Sequence, residues 1–202
     1  DLQTIILQMQ LPYRFDRYVL LEKIAQGGMA EIFRANYFGT DDFTKEVAIK
    51  RLLPVWSENP HFITMLTDEA KALVALNHPN IVQGFELGRD GKTLFISMEW
   101  VEGVDLCKLF LELSERREKL PLRFSLTIIS EVLKALDYAH SKILLIHRDI
   151  SPQNILLSFE GQVKLTDFGI AKGSHRSFET THHQVKGKYS YLSPEQALGK
   201  AL

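Results

Sequence analysis

Cysteine is nearly absent: the 202 residues contain one, Cys107. A single thiol cannot close an internal disulfide or build a cysteine zinc site. It reads as a small buried hydrophobe, and it suits a reducing, cytoplasmic setting. No apolar run reaches the length of a membrane span. The run near the start, Thr4-Ile5-Ile6-Leu7, is too short for a secretory core and has no basic residues before it. Charge of one sign is also missing, since 24 Lys and Arg stand against 25 Asp and Glu for a net charge of −1. Without a basic field, nucleic acid is not an expected partner. Repeats and low-complexity segments are absent. The chain opens on Asp1 rather than Met and stops at Leu202 without a terminal signal, as expected of a fragment or a processed product.

What is present is patterned. Residues 1–14 read as a leader or a loosely packed strand, with Pro12 as a breaker. Tyr18-Val19-Leu20-Leu21, Glu31 to Tyr37 and Glu46 to Lys50 read as strands of an antiparallel meander, the last rich in β-branched residues. Phe62, Met65, Leu66, Ala70, Leu73 and Leu76 recur at helical spacing over 60–76. Pro79 ends that helix by disfavouring helical geometry at His78. Ile81 to Leu87 and Thr93 to Trp100 read as two more strands around the turn Gly88-Arg89-Asp90-Gly91. Helices are predicted over 105–118 and 121–142, the second with Ile129, Val132, Leu133, Leu136 and His140 on one face. Ile155-Leu156-Leu157 and Val163-Lys164-Leu165 read as short strands. Residues 173–188 lack periodicity and read as a loop.

Four constellations carry chemistry. Ala25-Gln26-Gly27-Gly28-Met29-Ala30-Glu31-Ile32 is a glycine-containing hairpin whose amides can approach phosphate oxygens. Adjacent glycines in a hairpin are also ordinary turn residues. Lys50 ends an apolar strand, where it can neutralise phosphate oxygens if a carboxylate such as Glu69 holds it. The bland alternative is an exposed strand lysine. In His147-Arg148-Asp149-Ile150-Ser151-Pro152-Gln153-Asn154, Asp149 can accept a proton from a hydroxyl and Asn154 can offer a carbonyl oxygen to Mg²⁺. In Asp167-Phe168-Gly169, the Asp167 carboxylate is a hard oxygen ligand suited to Mg²⁺. Each motif alone could be a surface loop.

Their order together is glycine hairpin, strand lysine, helix glutamate, His-Arg-Asp, asparagine, Asp-Phe-Gly and then Ser193-Pro194-Glu195. In that order and context the chain resembles the protein-kinase superfamily, specifically bacterial serine/threonine kinases of the eukaryotic type, from about Tyr18 to its end. The resemblance implies an α+β, two-lobed kinase fold. Its domains would be a leader over 1–14, an N-lobe over 15–101 with five antiparallel strands and a helix, and a mainly helical partial C-lobe over 102–202. ATP and Mg²⁺ are the implied cofactors, and proteins bearing Ser or Thr the implied substrates, with a dimer for autophosphorylation.

Residue by residue, the resemblance makes Asp149 the catalytic base. It has Lys50 contact the α and β phosphates and pair with Glu69, and gives Asn154 and Asp167 the metal. Ile24, Ile32, Ala48 and Leu156 would sandwich adenine, and Ala25 to Met29 would cover the phosphates. Met98 would be the gatekeeper, Glu99-Trp100-Val101 the hinge and Asp105 a ribose contact. Leu73, His147 and Phe168 would join the stacked regulatory spine. Arg148 would meet a phosphate on the loop that holds Ser174, Ser177, Thr180 and Thr181, with the threonines favoured.

Three departures stand out. Ala25 and Ala30 replace glycines of the hairpin. Ser151 stands where these kinases usually have a lysine touching the γ-phosphate, while Lys188 stands where they usually have a threonine. The expectation is that the two types have exchanged places, Lys188 supplying the charge and Ser151 the hydroxyl. The chain also ends just past Glu195, whereas the family continues with further helices, so apolar surface is expected to be exposed. A non-catalytic kinase-like module is the competing reading, and the presence of Lys50, Glu69, Asp149, Asn154 and Asp167 together argues for the enzyme. A small-molecule kinase is disfavoured by the Ser-Pro-Glu segment.

Overall fold

Residues 11–40, 43–168 and 189–198 are described by the computed structural model. The chain divides into two units, one of Asp1–Ala75 with Gln83–Trp100, the other of Leu76–Val82 with Val101–Leu202.

The first unit is a six-stranded antiparallel sheet in the order β1-β2-β3-β4-β6-β5. Its strands are β1 (Tyr13–Phe15), β2 (Tyr18–Gln26), β3 (Ala30–Phe38), β4 (Thr44–Leu52), β5 (Gly84–Asp90) and β6 (Thr93–Glu99). Alternation places Tyr18, Leu20, Phe33, Ala35, Val47, Ile49 and Phe95 on one face, where they form a core with Phe15. The Phe15 and Phe95 rings meet edge to face at 5.0 Å. Beside this core Tyr18 donates to Glu86 at 2.5 Å. Burial alone would raise the Glu86 carboxyl, but hydrogen bonds from Arg17 and Tyr18 hold it below its ordinary range. The sheet has one strand more than the five expected, because Tyr13–Phe15, partly assigned to a leader, pairs with β2. The segment Ile81 to Leu87 is also divided. Strand β5 starts only at Gly84 and runs on through Gly88 to Asp90, so the turn lies at Gly91, whose φ is +55°.

Helix α1 (Pro60–Ala75) buries Met65, Leu66, Glu69, Ala70, Ala72 and Leu73. It crosses β5 where Gly84 has no side chain, since a Cβ there would stand 2.7 Å from the Leu73 Cβ.

In the second unit, helices α2 (Leu106–Glu115) and α3 (Leu122–Ile143) accompany a three-stranded sheet of β7 (Gly103–Asp105), β8 (Ile155–Ser158) and β9 (Val163–Leu165). A short helix, α4 (Pro194–Ala197), follows later in the chain. Residues 76–82 join this unit because Val82 N–H donates to Leu165 O at 2.9 Å and Leu165 N–H to Asn80 O at 2.8 Å. The α3 periodicity is right but its inward face is set one residue off. Ile128, Val132, Ala135 and Ala139 are buried, while Ile129 and Leu133 are exposed, with Leu122 and Leu126 exposed on the same helix. Small alanines at the buried positions let the helix lie close, and a reading that weighs only large apolar residues misses them. Cys107 is half-buried rather than buried. No helix among the described residues is long and apolar enough to cross a membrane.

Gly103 illustrates how closely β7 approaches β8. An added Cβ would stand 2.0 Å from the Leu157 carbonyl oxygen, and backbone has no alternative rotamer to adopt. Gly103→Ala is therefore expected to cost about 1–3 kcal/mol. Thermal unfolding would read this as a midpoint lower by about 2–12 °C for a chain of this size, and an unchanged midpoint would contradict the packing.

Candidate active site

In the first unit the site begins at β4. Val47 and Ile49 point into the core, so Ala48 and Lys50 share the opposite face. Ala48 is paired with Met98 of β6, and Lys50 with Ile32 of β3. Ala48 and Met98 are buried, while Ile24 and Ile32 are half-buried. Lys50 Nζ donates to Glu69 Oε1 at 2.5 Å. Both side chains are almost out of water, at 11% and 5% exposure. Removing either partner of such a pair strands a buried charge, a loss on the order of 3–5 kcal/mol. The helix thus fixes the ammonium at the strand end, where a phosphate oxygen could meet its positive charge.

The hairpin between β2 and β3 is tight. Gly27 N–H donates to Ala30 O at 2.8 Å, with Gln26 paired to Glu31. Residues Ala25 to Gly28 are exposed and Met29 is half-buried. At its base Glu31 is buried and accepts from Lys23 at 2.9 Å and Arg51 at 2.5 Å. Glu99 is bound by Gln83 twice: its N–H donates to Gln83 O at 2.9 Å and its carboxylate accepts Gln83 N–H at 3.2 Å.

In the second unit a closed ring of hydrogen bonds seats the loop after α3. Helix α3 ends in a left-handed turn at Leu144, φ +54°, whose N–H reaches His140 O at 2.8 Å. The chain then enters His147 to Asn154. Asp149 N–H donates to His147 Nδ1 at 3.2 Å, and His147 Nε2 lies 3.0 Å from Thr166 O. A carbonyl can only accept, so Nε2 carries the proton and Nδ1 is bare. Thr166 N–H donates to Asn154 O at 3.0 Å. Asn154 Nδ2 returns to Asp149 O at 2.8 Å, which leaves the Asn154 side-chain oxygen as an acceptor. Asp167 follows Thr166, and Phe168 packs against the His147 ring at 4.6 Å.

Two non-glycine residues here have positive φ, Arg148 at +64° and Asp167 at +55°. Such conformations cost about 1–3 kcal/mol each and persist where the surroundings impose them. Gln196 of α4 contributes at Arg148. Its Nε2 donates to Arg148 O at 2.8 Å while its Oε1 accepts Ser193 N–H at 3.1 Å. Nothing in the sequence marked Gln196, because its role depends on where α4 packs. Ser151 is 4% exposed, and its Oγ has no hydrogen-bond partner among the described residues.

Among the other expected residues, Asp105 caps α2 by accepting Lys108 N–H at 2.8 Å. It pairs across the sheet with Leu156. Val101 is half-buried in the second unit, and Leu73 is buried in the first. Gly169, Lys188 and the hydroxyl residues Ser174, Ser177, Thr180 and Thr181 lie outside the described residues.

Residues 18–201 match a sequence family described as "Protein kinase domain". The chain is 44% identical over 190 residues to the tyrosine-protein kinase MasK of Myxococcus xanthus, covering 91% of this chain and 29% of that protein. It is 38% identical over 183 residues to the serine/threonine-protein kinase PrkC of Bacillus subtilis, covering 91% and 27%. The chain thus spans less than a third of the length of either relative. In structure it resembles the crystallised PknI kinase domain of Mycobacterium tuberculosis. The TM-score is 0.69 at 26% identity, covering 96% of this chain and 70% of that one.

Proposed function

This chain belongs to the protein kinase domain family, and on that premise we propose that it transfers the γ-phosphate of ATP to Ser and Thr hydroxyls of protein substrates. The observation that carries the reading is the hydrogen-bonded ring His147–Asp149–Asn154–Thr166, which seats a potential base and two oxygen ligands in one loop system. Asp149 accepts the proton of the substrate hydroxyl as its oxygen bonds to the γ-phosphorus and the bond to ADP breaks. Lys50, fixed by Glu69, binds phosphate oxygens, and the hairpin Ala25 to Met29 offers main-chain donors. Ile24, Ile32, Ala48 and Leu156 hold the adenine with Met98, Glu99 and Val101 at its edge, and Asp105 serves the ribose.

Asn154 and Asp167 fit a divalent cation of the Mg²⁺ type. The Asn154 amide group is committed to Asp149 O, which leaves its carbonyl oxygen, and the Asp167 carboxylate is a second hard ligand. When bound, Mg²⁺ neutralises charge on the phosphate oxygens. Ser151 and Lys188 complete the site by the exchange of residue types noted above, a reading supported by the buried Ser151 hydroxyl. ATP chemistry suits a cytoplasmic setting, and self-phosphorylation would proceed between two copies.

A second reading has a specific basis. MasK, at 44% identity, is a tyrosine-protein kinase, and Ser151 replaces the lysine that usually marks Ser/Thr specificity. Incubating the full-length protein with γ-labelled ATP, Mg²⁺ and a generic protein substrate decides between them. Phosphoamino-acid analysis should recover label on Ser and Thr. Label confined to Tyr would establish the tyrosine reading, and no ATP-dependent label would leave the non-catalytic module.

A further inference from the structure

The segment joining β4 to α1 reaches back to the tip of the glycine hairpin. Trp56, in the single helical turn Pro54–Trp56, donates its indole N–H to Gly28 O at 2.9 Å. Three residues earlier, Leu53 N–H donates to Met29 O at 2.9 Å. Consecutive carbonyls of the hairpin tip are thus both held by one connector. The Trp56 ring also packs on Phe62, with centroids 4.5 Å apart and planes inclined by 33°. Phe62 lies in the first turn of α1, two turns before Glu69.

From this geometry we infer that Trp56 is a positioning residue of the phosphate-binding hairpin, tying the direction of its amide donors to the helix that holds Lys50. A trans peptide is planar, so its C=O and the following N–H point in opposite directions. Once the indole fixes Gly28 O, the Met29 N–H is fixed the other way. Without that anchor the Gly28-Met29 peptide can rotate, because Gly28 has no Cβ and nothing within 4 Å of where one would stand. Gly28 is exposed, so water replaces the lost indole and no buried acceptor is stranded. What changes is the ordering of a donor that a ligand must otherwise impose. Phe62 connects the tether onward, through α1, to the ion pair between Glu69 and Lys50.

The inference rests on the nucleotide-binding reading above, and the test separates the two. Trp56→Phe keeps an aromatic ring for Phe62 and removes only the N–H. In the full-length protein it should raise the KM for ATP about three- to tenfold, the size of one neutral hydrogen bond, with kcat within about twofold. The Kd of a fluorescent ATP analogue should rise in parallel. Phe62→Leu, which keeps the indole donor but loosens its seat, should give a smaller rise. A merely structural role would lower the melting temperature and leave KM unmoved in the folded fraction. Trp56→Phe with wild-type KM and Kd overturns the positioning role while the nucleotide reading stands. Wild-type protein that fails to bind the analogue at all overturns both.

Discussion

Asp149→Asn is expected to lower phosphoryl transfer about 10²- to 10⁴-fold, the range of a lost general base, with ATP affinity nearly unchanged. The substitution leaves the main-chain seat of this residue in place. The hydrogen bonds that seat this residue in the ring run through its main chain, its N–H to His147 and its C=O from Asn154. An amide of the same shape keeps both bonds and the strained turn at Arg148, but cannot take up a proton from a hydroxyl at neutral pH. The fall should therefore appear in kcat, with the KM for ATP within about threefold and an unchanged melting temperature. Retention of more than a tenth of the wild-type kcat would remove Asp149 from the role of base. A fall in melting temperature would instead mean that the carboxylate is part of the ring's support.

How much of this candidate site is legible in the sequence depends on whether a residue's partners are local. Lys50 was visible because a lysine closing the apolar run Val47-Ala48-Ile49 must find a counter-charge, and Glu69 lay on the only helical pattern nearby. Asp149, Asn154 and Asp167 stand out as candidates from their spacing within two short loops. The same local logic placed α1 to within a residue of its end, since His78-Pro79 forbids continuation.

What escaped was whatever depends on a distant neighbour. Tyr13–Phe15 counts as a strand only because β2 offers an edge to pair with. Ile81 and Val82 have strand-like side chains, yet Val82 N–H donates to Leu165 O of β9 and Ile81 N–H turns back to His78 O, and Ile81 bridges to Leu165 of β9. Ile129 and Leu133 looked inward by size, but the side of α3 that packs is lined by Ala135 and Ala139. Gln196 and Trp56 act through single side-chain donors onto main-chain carbonyls, and no periodicity announces such a bond.

If Ser151 and Lys188 have exchanged residue types as proposed, Lys188→Thr is expected to lower kcat about 10- to 100-fold. A charge-assisted hydrogen bond to the transferring phosphate contributes about 1.5–3 kcal/mol, and each 1.36 kcal/mol is tenfold in rate. Ser151 is buried in the loop between Asp149 and Asn154, with its hydroxyl lacking a partner among the described residues. A buried hydroxyl costs free energy unless something bonds it, and an ammonium donor from Lys188 would satisfy it while carrying charge to the same loop. The exchange makes a reciprocal prediction that simple loss of a lysine does not. Ser151→Lys added to Lys188→Thr should recover part of the lost rate, because the long apolar stem lets the ammonium leave the buried position while its backbone stays in place. The double-mutant cycle then shows a coupling between the two sites well beyond additivity. Wild-type kcat in Lys188→Thr would end the exchange hypothesis. If the double variant is folded by thermal melting yet no faster than Lys188→Thr alone, then Lys188 acts elsewhere and the Ser151 hydroxyl belongs to another partner.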